Sequence, residues 1–174
     1  MDDIQTYDLV DKSDPILRKK VARFDFANPP ADPSEIAYRL AKTMLTHNGL
    51  GLAANQCGLP YRVFVIKASP ILCCFNPLVV DASTKTEDLD EGCLTFPGLS
   101  VKVKRPSMIK VRYTQPNGEV VNQKYIGMTA RIFQHEIDHL DGIVFTQRVG
   151  ETKLRLAINR AKKNGFNYLL GDLK

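Results

Sequence analysis

Apolar residues Ile36, Ala37, Leu40, Ala41, Met44 and Leu45 recur at helical spacing and predict a helix from about Asp32 to His47. Asp32 is set to cap it, Pro33 suits the first helical position, and Asn48-Gly49 stops it. The period then shortens. Tyr61 to Lys67 and Leu72 to Val80 predict strands. Ile109, Val111 and Tyr113 alternate with Lys110, Arg112 and Thr114, so β structure is expected over Val101 to Ile126, with a hairpin at Gln115-Pro116-Asn117-Gly118. Residues 1–31 and the acidic stretch 81–92 are expected to be irregular or loop. A second helix is predicted from about Thr129 to Leu140. Ala130, Ile132, Phe133, Ile137 and Leu140 spread around it, as in a helix buried among other elements. A third runs from about Glu151 to Lys163 and ends at Asn164-Gly165. The expected class is α+β, with a largely antiparallel sheet and a C-terminal helix.

A chain of 174 residues, 44% hydrophobic and 25% charged, fits one domain over residues 1–174, with 151–174 as a basic helix and tail. No apolar run approaches the roughly 18–20 residues of a membrane span, so no membrane partner is expected. The net charge of +5 permits contact with RNA without demanding it. Four cysteines, Cys57, Cys73, Cys74 and Cys93, have no disulfide-framework spacing, which favours a reducing compartment. The opening Met1-Asp2-Asp3-Ile4-Gln5 is acidic and does not read as a signal peptide; a trimmed mature form fits as well.

The chemistry concentrates in His135-Glu136-Ile137-Asp138-His139, which holds two of the three histidines. Histidines at i and i+4 share one helix face and can reach one metal ion, while the adjacent glutamate can activate a water. A catalytic metal usually takes a third protein ligand and keeps one open position. One protease pattern would place a histidine where Phe145 stands, and another would need Glu151. Cys93, in Glu91-Gly92-Cys93-Leu94-Thr95, is the better candidate, since thiolate suits Zn or Fe(II).

Three segments together resemble peptide deformylase: Gly49-Leu50-Gly51-Leu52-Ala53-Ala54-Asn55-Gln56, Glu91-Gly92-Cys93-Leu94-Thr95 and Gln134-His135-Glu136-Ile137-Asp138-His139-Leu140. Asp14-Pro15-Ile16-Leu17-Arg18 is similar to that family's N-terminal region. The resemblance implies a metal-dependent hydrolase that removes the N-formyl group from the formylmethionine of new polypeptides and releases formate. It implies a metal helix enclosed by antiparallel sheets. The ligands would be Cys93, His135 and His139. They would hold one divalent ion per chain, natively Fe(II), with Zn, Ni or Co able to replace it. Glu136 would be the general acid/base, and the Gln56 side chain and Leu94 backbone N–H would hold the formyl oxygen. Gly49 and Gly51 would let the backbone approach the ligand closely, and Gly51 is placed in the catalytic set. Two features depart from the family pattern: a short connection, Ala68-Ser69-Pro70-Ile71, and Thr95 where serine is commoner.

Leu50, Met128 and Ile132 are candidates for a pocket that takes the methionine side chain, although core packing predicts the same residues. Glu91 is placed beside them, to orient a ligand or pair with an arginine. The last helix, with Lys153, Arg155, Arg160, Lys162 and Lys163, is a candidate contact for ribosomal RNA. The expected partner is a formylated nascent peptide, with no DNA. The expected setting is a monomer in the cytoplasm, in a host's cytoplasm if phage-encoded, or in an organelle for a trimmed form. Two rivals remain at this level. One is a peptidase that cuts internal bonds. The other is a zinc-stabilised RNA-binding module that takes Cys57 or Cys74 as a fourth ligand.

Overall fold

Val63-Phe64-Val65-Ile66 is an unbroken apolar run because the strand it forms is buried on both faces. The computed structural model describes residues 5–173; residues 1–4, most of the acidic opening, and Lys174 lie outside the described residues. The elements in order are α1 (Pro33–Thr46), β1 (Gly51–Ala53), β2 (Val63–Ile66), β3 (Leu72–Ala82), β4 (Thr86–Cys93), β5 (Phe96–Pro106), β6 (Met108–Thr114), β7 (Val120–Ile126), α2 (Gly127–Leu140) and α3 (Glu151–Lys163). One sheet has the order β1-β2-β3-β6-β7 and a second pairs β4 with β5; all these pairings are antiparallel.

The alternation along β2 assigns its faces. Val63 and Val65 pack with Ile36, Leu40 and Met44 of α1. Phe64 and Ile66 pack with Ala130, Phe133 and Leu140 of α2. Phe64 and Phe133 meet edge to face, with ring centroids 4.8 Å apart. On the far side, Leu99, Val101 and Val103 of β5 pack with Leu154, Ala157 and Ala161 of α3. α2 touches β1, β2, β6 and β7 of the larger sheet and β5 of the smaller one, so the expected metal helix is enclosed by the two sheets.

The predicted start and stop of α1 hold. Asp32 accepts a hydrogen bond from Ser34 N at 2.8 Å, and Asn48 takes a left-handed conformation at φ 55° beyond the helix end. The hairpin at Gln115–Gly118 also forms, joining β6 to β7. The expectation of a loop over 81–92 fails: β3 extends to Ala82, and residues 86–93 form β4. Only Leu89 alternates as an apolar residue there, but the pairing sets Glu87, Asp88 and Asp90 opposite Arg105, Lys104 and Lys102. Opposite charges across the ladder support a strand whose own residues favour it little.

Phe64→Ala removes a fully buried ring from between β2 and α2, and should cost about 3–5 kcal/mol of unfolding free energy in urea titration. Asp32→Ala should cost only about 1 kcal/mol, as loss of a helix cap.

Candidate active site

Three local decisions deliver the site. β4 ends at Cys93, and the turn Leu94-Thr95 sends the chain back as β5. α2 places His135 and His139 one turn apart, with Glu136 beside them. β1 passes into a 3-10 turn, Ala54–Cys57, that carries Gln56. Asn55 ties that turn to α2 by donating to His139 O at 2.6 Å.

The ligand atoms of Cys93, His135 and His139 lie within 4.8 Å of one another, the one such cluster among the described residues. Cys93 Sγ is 3.2 Å from His139 Nε2. His135 Nδ1 is 3.0 Å from Glu91 Oε2, which fixes that ring and leaves its other nitrogen for the cluster. Burial alone would raise the Cys93 thiol, but the His139 and His135 imidazoles hold it well below its ordinary value. Burial pushes the thiols of Cys57 and Cys73 up to about 12. Cys93 is thus the cysteine prepared to be a thiolate. One sulfur and two imidazoles suit a divalent transition metal and leave an open position, so the residues fit a catalytic ion. Cys57 and Cys74, either of which would have closed a structural zinc site, stand outside the cluster, as does Glu151, which pairs with Arg155.

Glu136 is buried, and its Oε2 has no hydrogen-bond partner among the described residues. Burial pushes its carboxyl up to about 7, against the opposing pull of His135 and His139. Gly51 makes room for it: a Cβ there would fall onto the Glu136 carboxylate and Ile132. What the missing side chain admits here is the Glu136 carboxylate. Gln56 accepts from Ala53 N at 2.9 Å through Oε1, which turns its NH2 to Thr95 Oγ1 at 3.0 Å and to Cys93 Sγ at 3.4 Å. Its donors thus face the cluster.

A cavity of about 650 Å³ opens onto these groups, lined among others by Leu50, Leu94, Met128 and Ile132. Leu50 and Met128 are more than half exposed at its mouth, so core packing does not account for them. Ile132 both lines the cavity and packs against the core. Glu91 borders the cavity, but its carboxylate is committed elsewhere. It receives Arg105 Nε at 2.6 Å and Arg131 Nη1 at 2.9 Å on Oε1, and His135 on Oε2. Glu91 thus lines the cavity while its carboxylate pairs with two arginines and His135.

The arginines were not read from the sequence. Arg105 Nη1 also donates to Asp138 Oδ2 at 2.7 Å, and Arg148 pairs with Asp138. Arg131 also donates to Val103 O and Glu87 O. Arg131 and Asp138 lie seven residues apart on a helix otherwise rich in buried apolar residues, and that spacing was the available signal. Among these groups, burial opposes ionisation of Glu91, but His135 and Arg105 hold its carboxyl well below the usual range.

Glu91→Gln leaves the arginines and His135 without their shared anion. Metal affinity, measured by chelator competition, should fall about 10–100-fold. Cys93→Ala should lose most bound metal.

The family model described as Polypeptide deformylase matches residues 6–155. A peptide deformylase of Thermotoga neapolitana is 39% identical over 152 residues, covering 84% of this chain and 89% of the relative. One from Aquifex aeolicus is 36% identical over 163 residues, covering 90% of this chain and 95% of the relative. Among solved structures, a peptide deformylase of Synechococcus elongatus in complex with actinonin superposes with a TM-score of 0.85 at 31% identity, covering 97% of this chain and 91% of that one. That of Thermotoga maritima superposes with a TM-score of 0.76 at 35% identity, covering 83% of this chain and 98% of that one. With the cysteine–histidine cluster, the enclosed α2 and these likenesses together, the chain belongs to the polypeptide deformylase family, the metal-dependent hydrolases that free new polypeptides of their N-formyl group.

Proposed function

We propose that Cys93, His135 and His139 hold one divalent ion, natively Fe(II), and that Glu136, Gln56 and Leu94 carry out deformylation of formylmethionyl peptides around it. The observation that carries this reading is the buried Glu136 carboxyl, pushed up to about 7 beside a thiolate–imidazole cluster at the floor of an apolar cavity. The chemistry an ion supplies there is Lewis acidity, which makes water easier to deprotonate at neutral pH.

The methionine side chain enters between Leu50, Met128 and Ile132. Glu136 takes a proton from the attacking water through its unpartnered Oε2, and a group titrating near neutrality can accept and return a proton with similar ease. As the water oxygen bonds to the formyl carbon, negative charge grows on the formyl oxygen. The Gln56 NH2 and the Leu94 N–H are the donors for that charge, and one such donor is worth roughly 3–4 kcal/mol in enzymes where it has been removed. Gln56 arrives already oriented, because its own carbonyl oxygen is held by Ala53 N. Glu136 then delivers the proton to the leaving amine, and the products are formate and a free N-terminus. Gly51 serves as the space that the Glu136 carboxylate occupies.

The setting we propose is the cytoplasm, with a monomer sufficing because one chain supplies every group named. Free cysteines support a reducing compartment. Residues 1–174 act as one domain in this reading. The contact with ribosomal RNA is proposed for the outer face of α3, where Lys153, Arg160, Lys162 and Lys163 are exposed while Leu154, Ala157 and Ala161 are buried. Reversing Lys153, Arg160 and Lys163 to glutamate together should abolish salt-sensitive co-sedimentation with ribosomes while formate release continues; unchanged co-sedimentation would remove α3 as the anchor.

Glu136→Gln separates catalysis from metal binding. It keeps the size of the side chain but cannot accept the proton. Metal content should stay near one ion per chain, while kcat on formyl-Met-Ala-Ser falls at least about 10²-fold. A variant that kept metal and turned over at the wild-type rate would contradict the assigned role. Casein cleavage by the wild type would favour the internal-peptidase rival.

A further inference from the structure

The family match ends at residue 155, yet the chain beyond α3 turns back to the cavity mouth. Pro97 and Gly98 line that mouth together with Leu94. Gly98 has φ +73°, and a Cβ on it would fall into the ring of Phe166. Tyr168 donates its hydroxyl to Pro97 O at 2.6 Å, and its ring lies 6.3 Å from that of Phe96. The tail that brings these two aromatics is itself anchored. Lys12 Nζ stands 5.7 Å over the Tyr168 ring, Arg18 Nη2 donates to Asp172 O at 2.8 Å, and Thr146 Oγ1 donates to Leu173 O at 2.5 Å. Leu173 is fully buried in the core shared by β5 and α3.

We propose that Phe166 and Tyr168 are positioning residues that fix the rim from Phe96 to Gly98 against the peptide that follows the formylated residue. A glycine at positive φ has more backbone freedom than any other residue, so a rim ending in Gly98 needs outside contacts to hold one shape. Phe166 supplies one by covering the face where a side chain would project, and Tyr168 supplies another by holding the preceding carbonyl. The tail thereby acts through the rim, without touching the reacting atoms. The identity of the substrate rests on the function proposed above; the link from tail to rim does not.

The test uses the full-length, metal-loaded chain with Phe166→Ala, Phe166→Leu and Tyr168→Phe. Hydrogen exchange at the Phe96 and Gly98 amides should accelerate in Phe166→Ala and Tyr168→Phe, with Leu94 and α2 exchange unchanged and Phe166→Leu close to wild type. KM for formyl-Met-Ala-Ser should rise about fivefold in Phe166→Ala with kcat nearly unchanged, while formylmethionine amide, which lacks the following residues, should behave as with wild type. Unchanged rim exchange in folded Phe166→Ala would overturn the proposal whatever the substrate. So would a loss shared equally by both substrates together with faster α2 exchange, the mark of general loosening. Formate release by the wild type tests the proposed function separately.

Discussion

The ion pairing of one buried carboxylate, Glu91, is the constraint on which the rest of the site depends. A carboxylate this deep must be matched by cations, because an unpaired buried charge is strongly destabilising. Arg105 of β5 and Arg131 of α2 match it, and His135 closes the set. Glu91 sits two residues before Cys93 on β4, and His135 and His139 sit on α2. Neutralising Glu91 therefore fastens the strand that delivers the thiolate onto the helix that delivers the imidazoles. Asp138 extends the same fastening from α2 to Arg105 and Arg148. The cysteine–histidine cluster is assembled from two separate elements by charge, within a fold whose described residues form three apolar clusters.

That arrangement leaves Glu136 different from its neighbours. Glu91 and Asp138 are surrounded by arginines, whereas Glu136 faces the cavity beside Gly51 and has no arginine partner among the described residues. Two buried glutamates 45 positions apart in the chain are driven in opposite directions, Glu91 held down and Glu136 pushed up. Environment alone drives these two carboxylates apart.

Much of this was legible beforehand. The two histidines at helical spacing, the nearby glutamate and the choice of Cys93 over Glu151 follow from donor chemistry, and α1 follows from its cap and stop. The β4 strand was not legible, because Thr86 to Asp90 favours loops by propensity and becomes a strand through the basic residues that β5 sets opposite it. The arginines escaped for a related reason: Arg105 and Arg131 read like any surface arginine until the fold buries them beside Glu91. The tail escaped because residues after Gly165 have no period, and their contacts reach Pro97 and Gly98 across the fold.

The central claim is that one cysteine and two histidines form a single open metal site. X-ray absorption on anaerobically purified, metal-replete protein tests it directly. With zinc substituted for the native ion, the account predicts one sulfur scatterer at about 2.3 Å and two imidazole nitrogens at about 2.0–2.1 Å, with the remaining coordination from exchangeable oxygen. A first coordination sphere with no sulfur, or one closed by four protein ligands, would contradict it.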